Sequence, residues 1–464
     1  MNRRDWLKGA ASGLGAAGAA LAWPGIVSRA YALPAQADAR FLLVFLRGGY
    51  DACSVLVPAG SDFYRAVRPT IAIRAPLAAG APPDPAAALA LAAGFEADAG
   101  ARGIGSWALH PALRDSMLPL WQRQQLAFLP FAGTADLSRS HFETQDGIEA
   151  GLPSALAAAG AARGSGFLNR LALAMGGRAA PVAFTDGMPT VLSGTRDVPN
   201  VSLKGTGRAP FDARQTRLLA QMYRGTRFEP LIDEGFELRQ AVAQEAEAMQ
   251  RRAAMPAAAM GDGTSGTSGT SGTTGTTGAG GTLAARLEEM QAANRRALSA
   301  KGFELEARRM AGLMRDKFNL AFIDVGGWDT HVNQGAAQGQ LANLLDNLGR
   351  GLAGFAEEMG PAWSKTTVVV ISEFGRTFRE NGTRGTDHGH GTVYWVAGGT
   401  VRGGRIAGDQ VAVEERTLNQ NRDWPVLNEY RAVLGGLFQR LYGLDESRLA
   451  QVFPGARPRD IGLV

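Results

Sequence analysis

The feature that most constrains this chain is a series of short apolar runs, each closed by glycine or polar residues. The first opens ARFLLVFLRGGYDACSVLVP (39–58). The others are LAFLPFAG (126–133), APVAFT (180–185), FNLAFIDVGG (318–327), TTVVVISEFG (366–375) and TVYWVAGG (392–399). Each reads as a strand buried on both faces. Longer segments with helical spacing separate them: PALRDSMLPLWQRQ (111–124), GFLNRLALAMGG (166–177), QLANLLDNLGRGLAGFAEEMG (340–360) and LNEYRAVLGGLFQRLYG (427–443). Buried strands alternating with amphipathic helices predict an α/β fold, a central mostly parallel sheet with helices on both faces.

A chain of 464 residues can bury a large core or fill two to three domains. With 45% hydrophobic and 20% charged residues it has a globular composition. The formal charge is +5; residues 1–32 carry +3 of it, through Arg3, Arg4, Lys8 and Arg29 against Asp5, which leaves +2. A near-neutral remainder gives no electrostatic case for nucleic acid. The single cysteine, Cys53, excludes an intrachain disulfide and a CxxC zinc site. The N-terminus pairs Arg3 and Arg4 with a modest Ala/Gly/Leu run and ends on Ala30-Tyr31-Ala32, an A-x-A site. Residues 1–32 therefore read as a twin-arginine signal peptide, with the twin-arginine translocase as partner and a periplasmic or extracellular destination. No later segment reaches the length of a membrane span, so no stable span is expected after cleavage.

The segment GDGTSGTSGTSGTTGTTGAGGT (261–282) has almost nothing to bury and predicts a flexible linker. Charged helical stretches flank it at 238–252 and 283–298. Strand runs lie on both sides, so the expected organisation is a single domain over 33–464. A helical excursion at about 213–317 carries the linker.

In open α/β sheets, sites form beyond the carboxyl ends of strands. Asp51 follows the first run, and Ser138, Ser140 and His141 follow the second. Asp329 and His331 follow the fourth; Glu373 ends the fifth, with Arg376 beyond it. GTDHGHG (385–391) then adds Asp387, His388 and His390, so four of the five histidines fall in these clusters. The fifth, His110, stands at a helix start. Aspartate, glutamate and neutral histidine suit zinc, and carboxylate-rich sets also take manganese, magnesium or calcium. Asp51, Asp329, His331, Glu373, Asp387, His388 and His390 are therefore candidate ligands of one or two divalent metals. The glycines at 385, 389 and 391 would let the loop turn tightly, pointing both of its histidines inward.

Taken in order, LLVFLRGGYD, LHPAL, SRSHF, GGWDTH, SEFGRT and TDHGHG resemble the domain of unknown function 1501 family, from about residue 40 to 440. That family looks like a branch of the alkaline phosphatase superfamily, which includes phosphatases and sulfatases. The resemblance implies an alkaline-phosphatase-like sheet, two metal sites and a serine, threonine or modified cysteine nucleophile. Carried over, it makes Asp51 a ligand and Ser140 the nucleophile, with Ser138 second. Asp329 opens a D-x-x-x-H pair whose last position here is Asn333, with His331 offered instead. Glu373-Phe374 stands where the superfamily shows Asp-His, and Asp387, His388 or His390 would replace that histidine. The C-x-P-x-R signature of modified-cysteine sulfatases is absent, because Ser54, Val55 and Leu56 follow Cys53.

These readings lead to an exported metal-dependent hydrolase of phosphate or sulfate esters. Its substrate is a small anionic ester, gripped by Arg376 or Arg47, with Ser140, Ser138 and His141 in catalytic roles. The alternative is a metal-binding or assembly protein that kept the fold and lost the chemistry.

Overall fold

A computed structural model describes residues 38–78, 80–91, 107–153, 164–203 and 297–464, with Asn294 and parts of 213–244. The stretch expected to be an export signal, 1–32, and the Gly/Ser/Thr segment at 261–282 lie outside the described residues. So do nearly all of the helical stretches expected at 238–252 and 283–298. No helix among the described residues is long and apolar enough to cross a membrane.

The strands are β1 (Arg40–Leu46), β2 (Leu56–Pro58), β3 (Leu89–Ala90), β4 (Trp107–Leu109), β5 (Leu126–Gly133) and β6 (Pro181–Ala183). They continue with β7 (Leu298–Ser299), β8 (Leu320–Gly326), β9 (Thr366–Ser372), β10 (Thr392–Ala397), β11 (Arg405–Ile406) and β12 (Asn428–Glu429). Nine form one sheet, ordered β11-β5-β10-β9-β1-β8-β6, with β12 beside β5 and β7 beside β8. The pairs β1–β8, β1–β9 and β6–β8 are parallel, and β10 alone runs against its neighbours β5 and β9. All six apolar runs contribute to this sheet. The tail of the first does not continue it: after a turn and the short helix Ala52–Val55, β2 joins a separate antiparallel sheet, β2-β4-β3. The end of the helical stretch expected at 283–298 also differs, because Leu298 begins β7.

Helices cover both faces, and the alternation within β1 shows how. Leu42, Val44 and Leu46 face a core shared with Met310 of helix Phe303–Asp316 and with Leu345 and Leu352 of helix Gln340–Met359. Phe41, Leu43 and Phe45 face a second core with Leu171 of helix Phe167–Met175 and Phe438 of helix Tyr430–Tyr442. Successive strand side chains point to opposite faces, so a strand apolar at every position must be covered twice. The stretch expected as one helix at 111–124 is a short turn, Pro111–Leu113, followed by helix Met117–Gln122.

The parallel strands β1, β8 and β9, and β5 with them, all end at one edge of the sheet. Because β10 is antiparallel, its start lies there too, with Thr392 opposite Ala132 near the end of β5. The loop before β10 thus reaches the same edge as the loops after the other four strands.

Candidate metal centre

That edge collects three imidazoles and a carboxylate. Asp329 and His331 come from the loop after β8, His388 from the loop before β10, and His141 is the first residue of helix His141–Ala150. The Nε2 atom of His388 lies 3.0 Å from Nε2 of His141 and 3.1 Å from Nε2 of His331. Asp329 closes the group, its carboxylate 2.9 Å from His331, 3.3 Å from His388 and 3.7 Å from His141. His141 and Asp329 are buried; His331 and His388 are partly open to solvent.

Each Nδ1 meets an acceptor. His141 donates to Glu373 Oε1 at 2.9 Å, His331 to Asp387 Oδ1 at 3.1 Å, and His388 to the Arg139 carbonyl at 3.1 Å. A carbonyl can only accept, so Nδ1 of His388 carries the proton. Glu373 is buried, yet the hydrogen bond and charge of His141 hold it down to about 2. Asp387 is likewise held to about 2, chiefly by His331. Both carboxylates are therefore ionised acceptors. With all three Nδ1 positions donating, the neutral rings turn lone pairs toward one another and toward a carboxylate. Only a proton or a cation between them makes that arrangement favourable. Such outer carboxylate and carbonyl partners are what fix the tautomer of metal-binding histidines.

The donor set fits a metal. Among the described residues, the group whose donor atoms all lie within 4.8 Å of one another is His141, Asp329 and His388, and His331 stands beside it against His388 and Asp329; ligands about 2.0–2.1 Å from a tetrahedral zinc ion lie roughly 3.3 Å from each other. Asp329, Glu373 and Asp387 stand against two guanidiniums, Arg376 on Asp329 and Arg422 on the His388 carbonyl at 2.9 Å, so these surroundings carry a formal −1. Without a metal the negative charge falls on the histidines. Burial opposes protonation of His141, but Asp329 and Glu373 push it up to about 9. His331 is raised against its own burial by Asp329 and Asp387. Burial lowers His388, with Arg376 and His141 adding to that effect.

The other expected residues have different surroundings. Asp51 was a candidate ligand, but its carboxylate is fully buried against Arg68, at 2.6 and 3.0 Å. It also accepts from Ser54 and Gln334, each at 2.6 Å. Burial would raise its pKa, and Arg68 overrides that and lowers it. Glu373 was another; it accepts from Gly48 N (2.7 Å), Gln145 (2.9 Å) and Ser372 (2.8 Å) besides His141, and so orients a ring instead of standing among the converging donors. Asp387 takes the same outer place behind His331. His390 is buried away from the cluster, in the field of Asp423, Arg139 and Asp136.

The two arginines expected to grip substrate are locked into the fold. Arg376 donates to the carbonyls of Gly48 (2.9 Å), Gly49, Trp328 (3.3 Å) and Thr386 (3.1 Å), and to Asp329. Its Nη1 also lies 3.3 Å from Nε2 of His331. Arg47 is buried between Asp324, Glu149 and Gln145. Ser140 is the N-cap of helix His141–Ala150, half-buried, with a hydroxyl that does not cap the helix. Ser138 is exposed and bonded to Asp136 and Thr144.

Local backbone explains why these loops can meet. The chain around 387–389 pairs with 375–377: Gly389 N donates to the Gly375 carbonyl at 2.8 Å and Thr377 N to the Asp387 carbonyl at 2.8 Å. A Cβ on Gly389 would lie 2.4 Å from the Arg376 carbonyl oxygen, and one on Gly385 2.3 Å from that of His331. These glycines permit close backbone approach, and none of 385, 389 and 391 has a positive φ, so the expected tight turning is not their role. Asn333, at the last position of the D-x-x-x-H pattern, is exposed with φ +47°, a region in which asparagine is enriched. Phe374 packs its ring 4.9 Å from His141 and 5.0 Å from His388, walling one side of the site.

Gln145, Arg139, Arg68 and Gln334 were missed in the sequence. His141 and Gln145 are four apart, the helical spacing that puts both on one face toward Glu373. That spacing in SHFETQ was the available clue. Nothing local marks the Arg139 carbonyl, or Arg68 as the partner of Asp51.

No curated protein and no solved structure matches the chain. One family does, over residues 38–453, a span that includes every residue of the cluster. The chain belongs to that family, described as Protein of unknown function (DUF1501).

Proposed function

We propose that the protein is an exported, metal-dependent hydrolase of phosphate or sulfate esters, of the alkaline phosphatase superfamily type. The observation that carries this reading is the convergence of three Nε2 atoms on Asp329, each ring held from behind by an acceptor on Nδ1. His141, His388 and Asp329 would hold the ion, with His331 beside them. Imidazoles with one carboxylate suit zinc, or manganese, better than magnesium or calcium, which prefer oxygen ligands. When bound, such an ion supplies Lewis acidity that stabilises charge developing on an ester oxygen.

The chain's own groups do the rest. Glu373, Asp387 and the Arg139 carbonyl keep the imidazoles in the ligating tautomer. Phe374 excludes water from one side of the rings. Helix His141–Ala150 begins at the cluster, and its amino end favours an anionic group there. Ser140, at that end, is the candidate nucleophile. Export by the twin-arginine route, which moves folded proteins, suits a site loaded before translocation.

The second reading is a metal-binding or assembly protein on the same fold. It is favoured by the commitment of Arg376 and Arg47 to internal partners, which leaves neither to grip an anion. A panel of phosphate monoesters, phosphate diesters and sulfate esters, assayed on the zinc- or manganese-loaded full chain, separates the two. Turnover lost in His388→Ala and Asp329→Ala supports the hydrolase. A loaded protein that turns over none of the panel leaves the binding role. Turnover that survives both substitutions sinks the site assignment.

A further inference from the structure

We infer that this edge of the sheet holds one metal ion, and that buried arginines already compensate the aspartates a second ion would need. The inference rests on the reading that the histidine cluster binds metal, and it departs from the two metal sites that the superfamily resemblance implies.

The argument is a count of donors and of charge. Among the described residues one group of side chains can hold an ion, His141, Asp329 and His388, and His331 stands beside it against Asp329 and His388. A second ion needs its own ligands, and the remaining candidates are committed. Asp51 presents both oxygens to Arg68 and one of them also to Ser54 and Gln334. Glu373 answers four donors and is fully buried. Of the two histidines outside the cluster, His110 accepts from Ala112 N at 3.0 Å through Nδ1 and donates to the Ala336 carbonyl at 3.1 Å through Nε2. His390 lies apart, near Asp423 and Arg139. Among the candidate ligands only Asp387 keeps an exposed carboxylate, and it already answers His331 and Asn381.

Charge gives the same count. Asp329, Glu373 and Asp387 face Arg376, and Arg422 donates to the His388 carbonyl at 2.9 Å, a formal −1 that one divalent ion already more than offsets. A second would add two further positive charges next to the Arg376 guanidinium. Arg376 already bonds Asp329 and stands 3.3 Å from Nε2 of His331, while Arg68 neutralises Asp51. Each guanidinium already compensates an aspartate that a second cation would need.

The test is the stoichiometry of the full chain loaded with Zn²⁺ and freed of excess, by elemental mass spectrometry against amino-acid analysis. X-ray absorption at the zinc edge accompanies it. One ion per chain is expected, with imidazole scatterers and no metal–metal distance near the roughly 3.5–4 Å of two-metal sites. Two ions per chain with such a distance would overturn the inference. The outcomes separate from those of the proposed function. One bound ion without ester turnover removes the hydrolase and leaves this inference standing. Two ions with turnover do the reverse, and no bound ion removes both.

Discussion

Asp51 and Asp329 follow neighbouring parallel strands, β1 and β8, and both are buried against an arginine. Their surroundings make them opposites. Around Asp51 every contact is a donor that suits a carboxylate: a guanidinium, a hydroxyl and an amide. That group is complete as it stands. Around Asp329 are one guanidinium and three imidazole nitrogens whose other nitrogens already donate elsewhere. That group is complete only with a proton or metal. A buried aspartate after a strand therefore says little by itself; the partners decide between a brace and a ligand. Gln334 links the two, donating to Asp51 while accepting from Thr330 and Thr386 in the metal-site loops.

The contrast can be broken most severely at its centre. His388→Ala and Asp329→Asn should each weaken zinc binding at least about a hundredfold by isothermal titration, since each deletes a converging donor. Asp51→Asn should instead leave zinc affinity within a few-fold and cost stability. Removing one partner of a buried ion pair typically costs about 3–5 kcal/mol, read as a lowered denaturant midpoint. Loss of zinc binding in a folded Asp51→Asn protein would refute the division between the two aspartates.

A milder change is expected behind the rings. Glu373→Gln and Asp387→Asn keep size but weaken the acceptor on Nδ1, so zinc affinity should fall roughly 10–100-fold. Asp387→Asn is the cleaner variant because its side chain is half exposed. Unchanged affinity there would mean that Asp387 does not set the His331 ring.

The smallest step expected, about tenfold for each pH unit, is the response to pH. In the metal-free protein His141 is raised to about 9, so it is protonated at neutral pH and must lose that proton to ligate. Zinc affinity should therefore climb between pH 7 and 9, by about tenfold per pH unit for one displaced proton, and level off above. The stability of the metal-free protein should move the other way. A histidine raised in the folded state contributes fully below its ordinary value of about 6.5, and that contribution is lost as pH rises through about 9. Affinity flat from pH 7 to 9 would show that His141 is already neutral.

Much of the scaffold was legible. Six apolar runs mark six strands of the main sheet, and alternation in β1 forces cover on two faces. Asp329, His331 and His388 are legible as candidate ligands, because polar residues follow or precede buried runs, and the structure brings the three together. His141 was legible only as a catalytic partner, since Ser140 beside it drew the attention. The error at Asp51 came from Arg68, seventeen residues on and outside any motif. The error at His390 came from expecting both loop histidines to point the same way.

The sequence alone determined where chain would be strand and where helix, because apolar periodicity depends on neighbouring residues. It also determined the supply of imidazoles and carboxylates. Only the tertiary structure decided which of them meet. The antiparallel course of β10 brings the loop before it to the edge where β1, β5, β8 and β9 end. Close glycine contacts then set His388 between His141 and His331. Distances of about 3 Å between residues far apart in the chain arise from strand order and direction, which local sequence does not encode.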